Sequence, residues 1–265
     1  MLNRRLFCGC ASVAVLAGMV SKPAQAAPAQ CEVFTPERQK AVSPAEAIER
    51  LKSGNERFVR GETINCDLMK QVKETAAKQA PFAVVIGCID SRVPPELVFD
   101  QRIGDIFCAR VAGNFVNTDI IGSVEFATRI AGARAVVVLG HSECGAVKGA
   151  IDNVRMGNLT RMLANIRPAV AATRTSGDRS SKNAAFVQGV ADTNVRLGAR
   201  ELTARSAILR ELVEAQQLVI LPAMHDLATG RVSFAAEGWD KDLPRAHRAR
   251  HRAAAAAGPV SPSPV

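Results

Sequence analysis

Phe82-Ala-Val-Val-Ile-Gly-Cys-Ile-Asp-Ser-Arg92 is the stretch from which the fold can be read. Two valines and an isoleucine run to Gly87, and Cys88, Asp90 and Arg92 follow at once. A second stretch repeats the plan: Ala135-Val-Val-Val-Leu139 runs to Gly140, and then come His141, Ser142, Glu143, Cys144 and Gly145. Unbroken apolar runs of this length are strands buried on both faces, the kind found in parallel sheets. In an open parallel sheet, functional groups gather in the crevice at the carboxyl ends of the strands. If the two strands lie near each other, Cys88, Asp90, His141 and Cys144 arrive in one crevice. Two cysteines, a histidine and an aspartate are a zinc ligand set. Neither Cys-x-Asp nor His-x-x-Cys is zinc-ribbon spacing, so spacing alone leaves a redox pair of Cys88 and Cys144 as a rival.

Working outward, strands and helices alternate. Residues 27–42 read as an extended arm. Ser43, Pro44 and Glu46 form a helix start, with Ser43 as cap and Glu46 closing a capping box, and Gly54 is the expected stop. Asn55–Gly61 is a turn or a short continuation, and Asp67 caps a helix to about Gln79. After Arg92, the run Val93-Pro94-Pro95 is extended and leads to a short helix from Glu96 to about Phe99. Asp105–Val111 is a strand, and Thr118 to Ala131 a helix. A helix begins near Cys144, another spans Asn158 to Thr173, and a long one spans Ala184 to Gln216, with Gly198 as its expected point of breakage. Gln217–Pro222 and Arg231–Ala235 are the last strands, the final one antiparallel. The pattern predicts an α/β fold: a mainly parallel central sheet flanked by helices, with an N-terminal helical arm and an antiparallel edge strand.

The ends differ from this body. Arg4 and Arg5 precede an apolar stretch from Leu6 to Val20, and Ala24-Gln25-Ala26 has the small-x-small pattern of a signal-peptidase site. Residues 1–26 therefore read as a signal peptide, twin-arginine-like in Asn3-Arg4-Arg5-Leu6-Phe7. A periplasmic or secreted protein follows, with no stable membrane insertion once the signal is gone. Of the formal charge of +9, residues 1–26 carry +3 and the tail 241–265 carries +4, leaving +2 on the body 27–240. Such a body, with one Trp and no Tyr, argues against nucleic acid as a partner. The tail, basic and then Ala-, Pro- and Ser-rich, cannot bury enough to order itself. Five cysteines remain after the signal. Cys108 reads as a small buried apolar residue. Cys31 and Cys66 lie outside the core pattern in an oxidising compartment. They read as a disulfide that adds on the order of 3–4 kcal/mol, with two free thiols as the alternative.

Cys88-x-Asp90-x-Arg92 with His141-x-x-Cys144 resembles the β-class carbonic anhydrases. Ser91-Arg92-Val93-Pro94-Pro95-Glu96, Arg110-Val111-Ala112-Gly113-Asn114 and Gly140-His141-Ser142-Glu143-Cys144-Gly145 share the family's pattern, as do Gly54-Asn55 with Phe58, and Asp226 with Thr229-Gly230. The resemblance runs from about Ser43 to Ala236. It implies one zinc per subunit on Cys88, His141 and Cys144, with Asp90 as an alternative fourth ligand. It further implies reversible hydration of carbon dioxide to bicarbonate and a proton by a zinc-held hydroxide. Asp90 either closes the metal or pairs with Arg92 and leaves it open, low pH favouring the closed state. Phe107, Ala112 and Phe126 are the implied wall of the carbon dioxide pocket. The resemblance also implies a homodimer or higher even oligomer, with Ser43–Gly61 embracing the partner. Two residues depart from the pattern: Arg102 stands where Gly is common, and His225 where Tyr is common. His225 is either a solvent-facing proton shuttle or a packed residue.

Three other functions remain at this stage. One is a catalytically silent zinc protein of the same fold. Another is a hydrolase of a different small heterocumulene such as carbon disulfide. The last is a redox protein with a Cys88–Cys144 disulfide.

Overall fold

The structure is a computed structural model that describes residues 31–235. The expected signal segment, the final tail and the first residues of the arm lie outside that range. Within it, ten helices and five strands follow in order. They are α1 Pro36–Ala41, α2 Pro44–Arg60, α3 Leu68–Thr75, β1 Ala83–Gly87, α4 Pro95–Val98, β2 Ile106–Arg110 and α5 Thr118–Glu125, which ends in a π turn Phe126–Ile130. Then come β3 Ala135–His141, α6 Gly145–Ile151, α7 Gly157–Ala164, α8 Arg167–Ala172, α9 Ala184–Arg205, α10 Ala207–Glu214, β4 Val219–His225 and β5 Val232–Phe234.

The sheet has the order β2-β1-β3-β4-β5; the first four strands are parallel and β5 is antiparallel to β4. Every residue of β1 and β3 is buried. Side chains alternate across the sheet. Val85, Val137 and Leu139 pack on one side with Ile48, Leu51, Phe82 and Phe99. Val84, Ile86, Val136 and Val138 pack on the other with Val195, Leu202 and Leu209. Full burial of each such side chain is worth about 1.5–3 kcal/mol, and both faces of these two strands are covered.

Helix ends follow local chemistry where capping decides them. Ser43 Oγ accepts from the Glu46 N–H at 3.2 Å, Asp67 Oδ1 from the Lys70 N–H at 2.9 Å, and Asn117 Oδ1 from the Ile120 N–H at 3.0 Å. Four expectations fail where a distant element intervenes. Residues 27–42 are not all extended: α1 forms, and Gln39 Nε2 donates to the Pro81 and Ala131 carbonyls, both at 2.6 Å, clipping the arm to the start of the sheet. Gly54 does not stop α2, which runs on to Gly61 at φ +70°. Gly54 is instead where α2 meets the end of α4: a Cβ there would sit 1.8 Å from the Phe99 carbonyl oxygen. Asn158–Thr173 is two helices, parted just before Pro168. The long helix breaks not at Gly198 but at Ser206, whose Oγ accepts from Leu209 N–H at 3.1 Å and donates to Glu125 Oε1 at 2.5 Å. Gly198 stays helical and lets α9 lie close to Val138 of β3.

Arg102 is held by buried Asp105, with 3.2 Å between Nε and Oδ2, so an arginine is accommodated within the loop before β2.

Candidate metal centre

The chain passes from β1 out to β2, then back across to β3 on the other side of β1. The switch point of the sheet therefore lies between β1 and β3, at their carboxyl ends. Cys88 leaves β1 directly after Gly87, and His141 is the last residue of β3. Glu143, at φ +56°, turns the chain so that Cys144 becomes the N-cap of α6. Cys88 Sγ, a ring nitrogen of His141 and Cys144 Sγ all lie within 4.8 Å of one another, and the three residues are 4%, 1% and 1% exposed. Both cysteines are free thiols.

The donor set fits a zinc ion. His141 Nδ1 lies 2.8 Å from the Ser142 carbonyl, which only accepts, so the ring proton sits on Nδ1. Nε2 is then a buried lone pair with no protein partner. A buried acceptor left bare is costly, and a metal on that nitrogen removes the cost. The Cys144 thiol beside it holds the Cys88 thiol far down, to about 4, and the Gly113 N–H, which donates to Sγ at 3.2 Å, acts in the same direction. Cys144 is pushed up, first by Cys88 and then by burial. The pair thus shares one proton, which a dication displaces.

Asp90 stands at the rim of this cluster and outside the mutual 4.8 Å set. Its Oδ2 is 3.9 Å from His141 Nε2. Arg92 grips the carboxylate from both ends, Nε to Oδ1 at 2.9 Å and Nη2 to Oδ2 at 2.7 Å, and its backbone N–H adds a third bond at 3.0 Å. This bidentate fork holds the Asp90 carboxyl well below the usual carboxylate range.

Two further residues, Arg110 and Asn194, support the centre from segments whose local sequence carries no sign of that role. Arg110, the last residue of β2, donates through Nε to the Cys88 carbonyl at 2.8 Å and through Nη2 to the Asp90 carbonyl at 2.7 Å. It fixes the backbone that carries both groups. Asn194, buried within α9, donates to the Gly113 carbonyl at 2.9 Å and so anchors the residue whose N–H meets Cys88 Sγ. The available signal, a polar residue among the core positions of a helix, does not name the partner. Replacing Arg110 by Gln is expected to lower kcat about 10–100-fold, the usual cost of losing an outer partner of a metal site, with zinc content unchanged. Stopped-flow assay with metal analysis checks this.

Of the three expected pocket residues, Phe107 and Phe126 line one cleft and Ala112 does not. Phe107 and Phe126 meet edge to face at 6.5 Å and line a cleft of about 810 Å³ with Val84, Ala109, Ile120 and Ala127. No member of the ligand cluster lines that cleft. Ala112 lies beyond β2, half-buried, beside Gly113. Cys108 is half-buried rather than buried and faces the same cleft; burial pushes its thiol up. Cys31 and Cys66 are joined in a disulfide, with 5.6 Å between their Cα atoms.

His225 is packed, not solvent-facing. It pairs with His141 in the β3–β4 register, is 3% exposed, and neither ring nitrogen has a partner among the described residues. Burial, then the neighbouring His141, lower its pKa. The unfolded chain therefore takes up a proton more readily than the folded one. This part of the stability is complete above the ordinary histidine value of about 6.5 and is lost as pH falls below it. Thermal unfolding of His225→Asn against pH is expected to show a shallower decline below that value than the parent.

An open α/β sheet carrying two thiols and an imidazole at its switch point defines a metal-binding α/β protein. The profile of the family described as carbonic anhydrase matches residues 83–232. The chain is 34% identical over 195 residues to "Carbonic anhydrase 2" of Mycobacterium tuberculosis, covering 71% of this chain and 91% of that one. It is also 34% identical over 199 residues to a carbonic anhydrase of Mycolicibacterium smegmatis, covering 72% and 93%. Among solved structures, the β-carbonic anhydrase CafA of Aspergillus fumigatus superposes with a TM-score of 0.57 at 24% identity, over 79% of this chain and 96% of that one. A tetrameric β-carbonic anhydrase of Sordaria macrospora gives 0.56 at 26%, over 63% and 90%. The chain belongs to the carbonic anhydrase family, and within it to the β class.

Proposed function

We propose that this protein hydrates carbon dioxide reversibly to bicarbonate and a proton, with zinc held by Cys88, His141 and Cys144. The observation that carries this is the buried His141, with Nε2 unpartnered and a ring nitrogen within 4.8 Å of two buried thiols. Zinc, when bound, lowers the pKa of a water toward ~7, which makes hydroxide available near neutral pH. The chain's own residues do the rest. Cys88 and Cys144 set the charge of the centre, and the Ser142 carbonyl keeps the imidazole in the tautomer that leaves Nε2 free. Asp90, locked by Arg92 with its Oδ2 3.9 Å from His141 Nε2, would accept a hydrogen bond from the attacking oxygen and aim its lone pair. A zinc store needs no such pair, so the fork favours an enzyme over a silent relative. Stopped-flow hydration of carbon dioxide, run with zinc quantitation and a carbon disulfide control, tests the proposal. Stoichiometric zinc with no hydration, or turnover of carbon disulfide alone, overturns it.

The protein's assembly and location belong to the same proposal. Among the described residues no strand pairs with the outer edge of β2, and Phe126 beside it is 53% exposed. An open, apolar edge of this kind is normally covered, and a second copy laid along it supports the homodimer. Phe126→Glu is expected to shift the protein to a monomer in light scattering. Export rests on Arg4, Arg5 and the apolar run to Val20. No helix among the described residues is long and apolar enough to cross a membrane.

A further inference from the structure

The charge of the folded body is not spread evenly. Residues 31–235 hold 26 Lys and Arg against 22 Asp and Glu, and residues 152–182 alone hold six against two, so the remainder is balanced. The six are Arg155, Arg161, Arg167, Arg174, Arg179 and Lys182, and all are exposed. They stand on α7, α8 and the loops that flank them. Side-chain bonds lace these loops together. Arg167 Nη2 donates to Asn153 Oδ1 at 2.5 Å, and Ser181 donates to the Asp152 carboxylate through N at 3.0 Å and Oγ at 2.5 Å. Arg179 donates to the Thr173 and Val170 carbonyls at 2.8 and 2.7 Å. Both acids of the segment are engaged, Asp152 by Ser181 and Asp178 by Ser180. Among the described residues, Arg155, Arg161 and Arg174 form no ion pair. At the loop after α6, bracketed by Asn153 and Gly157 at φ +54° and +43°, Val154 and Met156 flank Arg155 and are 39% and 66% exposed.

Cations around a loop with bare apolar side chains match the two layers of a lipid interface. The guanidinium groups meet headgroup phosphates, and Val154 and Met156 reach the acyl boundary. Nucleic acid fits less well: the segment contains no aromatic residue on which a base could stack, and the apolar pair offers nothing to a phosphate backbone. We propose that this face docks the protein peripherally on a membrane surface rich in anionic lipid. The ligands of the metal centre lie outside it.

Sedimentation of the full chain with vesicles of mixed phosphatidylglycerol and phosphatidylcholine, against phosphatidylcholine alone, tests the proposal. Binding is expected only to the mixed vesicles and is expected to fall with salt. The triple variant R155Q/R167Q/K182Q is expected to bind about 100-fold more weakly, at about fivefold for each of the three lost charges. V154S/M156S is expected to bind about tenfold more weakly. The basic tail is present in every variant and so is a constant background. Unchanged carbon dioxide hydration in solution shows that each variant is folded. Three results overturn the proposal: equal binding to neutral vesicles, unchanged binding of the triple variant, or duplex DNA held as tightly as lipid while V154S/M156S behaves like the parent.

Discussion

Cys144→Ser is expected to leave the protein folded and essentially free of zinc. A serine hydroxyl stays protonated where a thiolate is needed, so the site loses both a ligand and a negative charge. The remaining pair, Cys88 and His141, then faces a dication with only one thiolate. Loss of an outer partner alone costs about 10–100-fold in such sites, so loss of a direct ligand is expected to lower kcat/KM by more than about a hundredfold. Cys144 also supports Cys88 as its neighbour in the shared-proton pair, and the two effects act together. Metal analysis of the purified variant, alongside hydration kinetics, decides the matter. A serine variant that still carries one zinc per chain would remove Cys144 from the centre.

The second large effect is expected at the Asp90–Arg92 pair. Asp90→Asn keeps the shape of the side chain but replaces one acceptor oxygen by a donor, so the fork of Arg92 can no longer close on both ends. Arg92→Ala leaves the carboxylate without its clamp, and its pKa rises back toward the ordinary value. Both variants are expected to lose about a hundredfold or more in kcat, within the range for a positioned acid or base. Zinc content and unfolding temperature are expected to change little, because Arg92 is solvent-exposed and an exposed pair adds little stability. The combination of lost turnover with retained metal separates this pair from the ligands. Near-parental kcat in either variant would take the pair out of the mechanism.

Part of this architecture is legible in short stretches of the chain. The unbroken valine runs of β1 and β3 left one sensible burial for each strand, and the glycine that ends each run placed the next residues at a strand terminus. Capping by Ser43 and Asp67 is a matter of three or four neighbouring residues, and both caps formed. The glycines were harder. Gly54 and Gly198 look like stops, since a glycine weakens a helix and often closes one. Their role is set by what lies across from them, a carbonyl oxygen at one position and a valine of the sheet at the other. The same limit hid Arg110 and Asn194, whose partners are 20 to 22 and 81 residues away.

From its residues alone this chain determined its strands, most of its helix starts and the chemical types of its metal donors, because those depend on burial period and short-range hydrogen bonding. Only the tertiary structure decided that β1 and β3 are neighbours, that Asp90 lies on Arg92 at the edge of the donor set, and that His225 is buried beside His141. Those are outcomes of strand order and of packing between elements far apart in the chain, where each atom's position depends on a partner that its own segment does not contain.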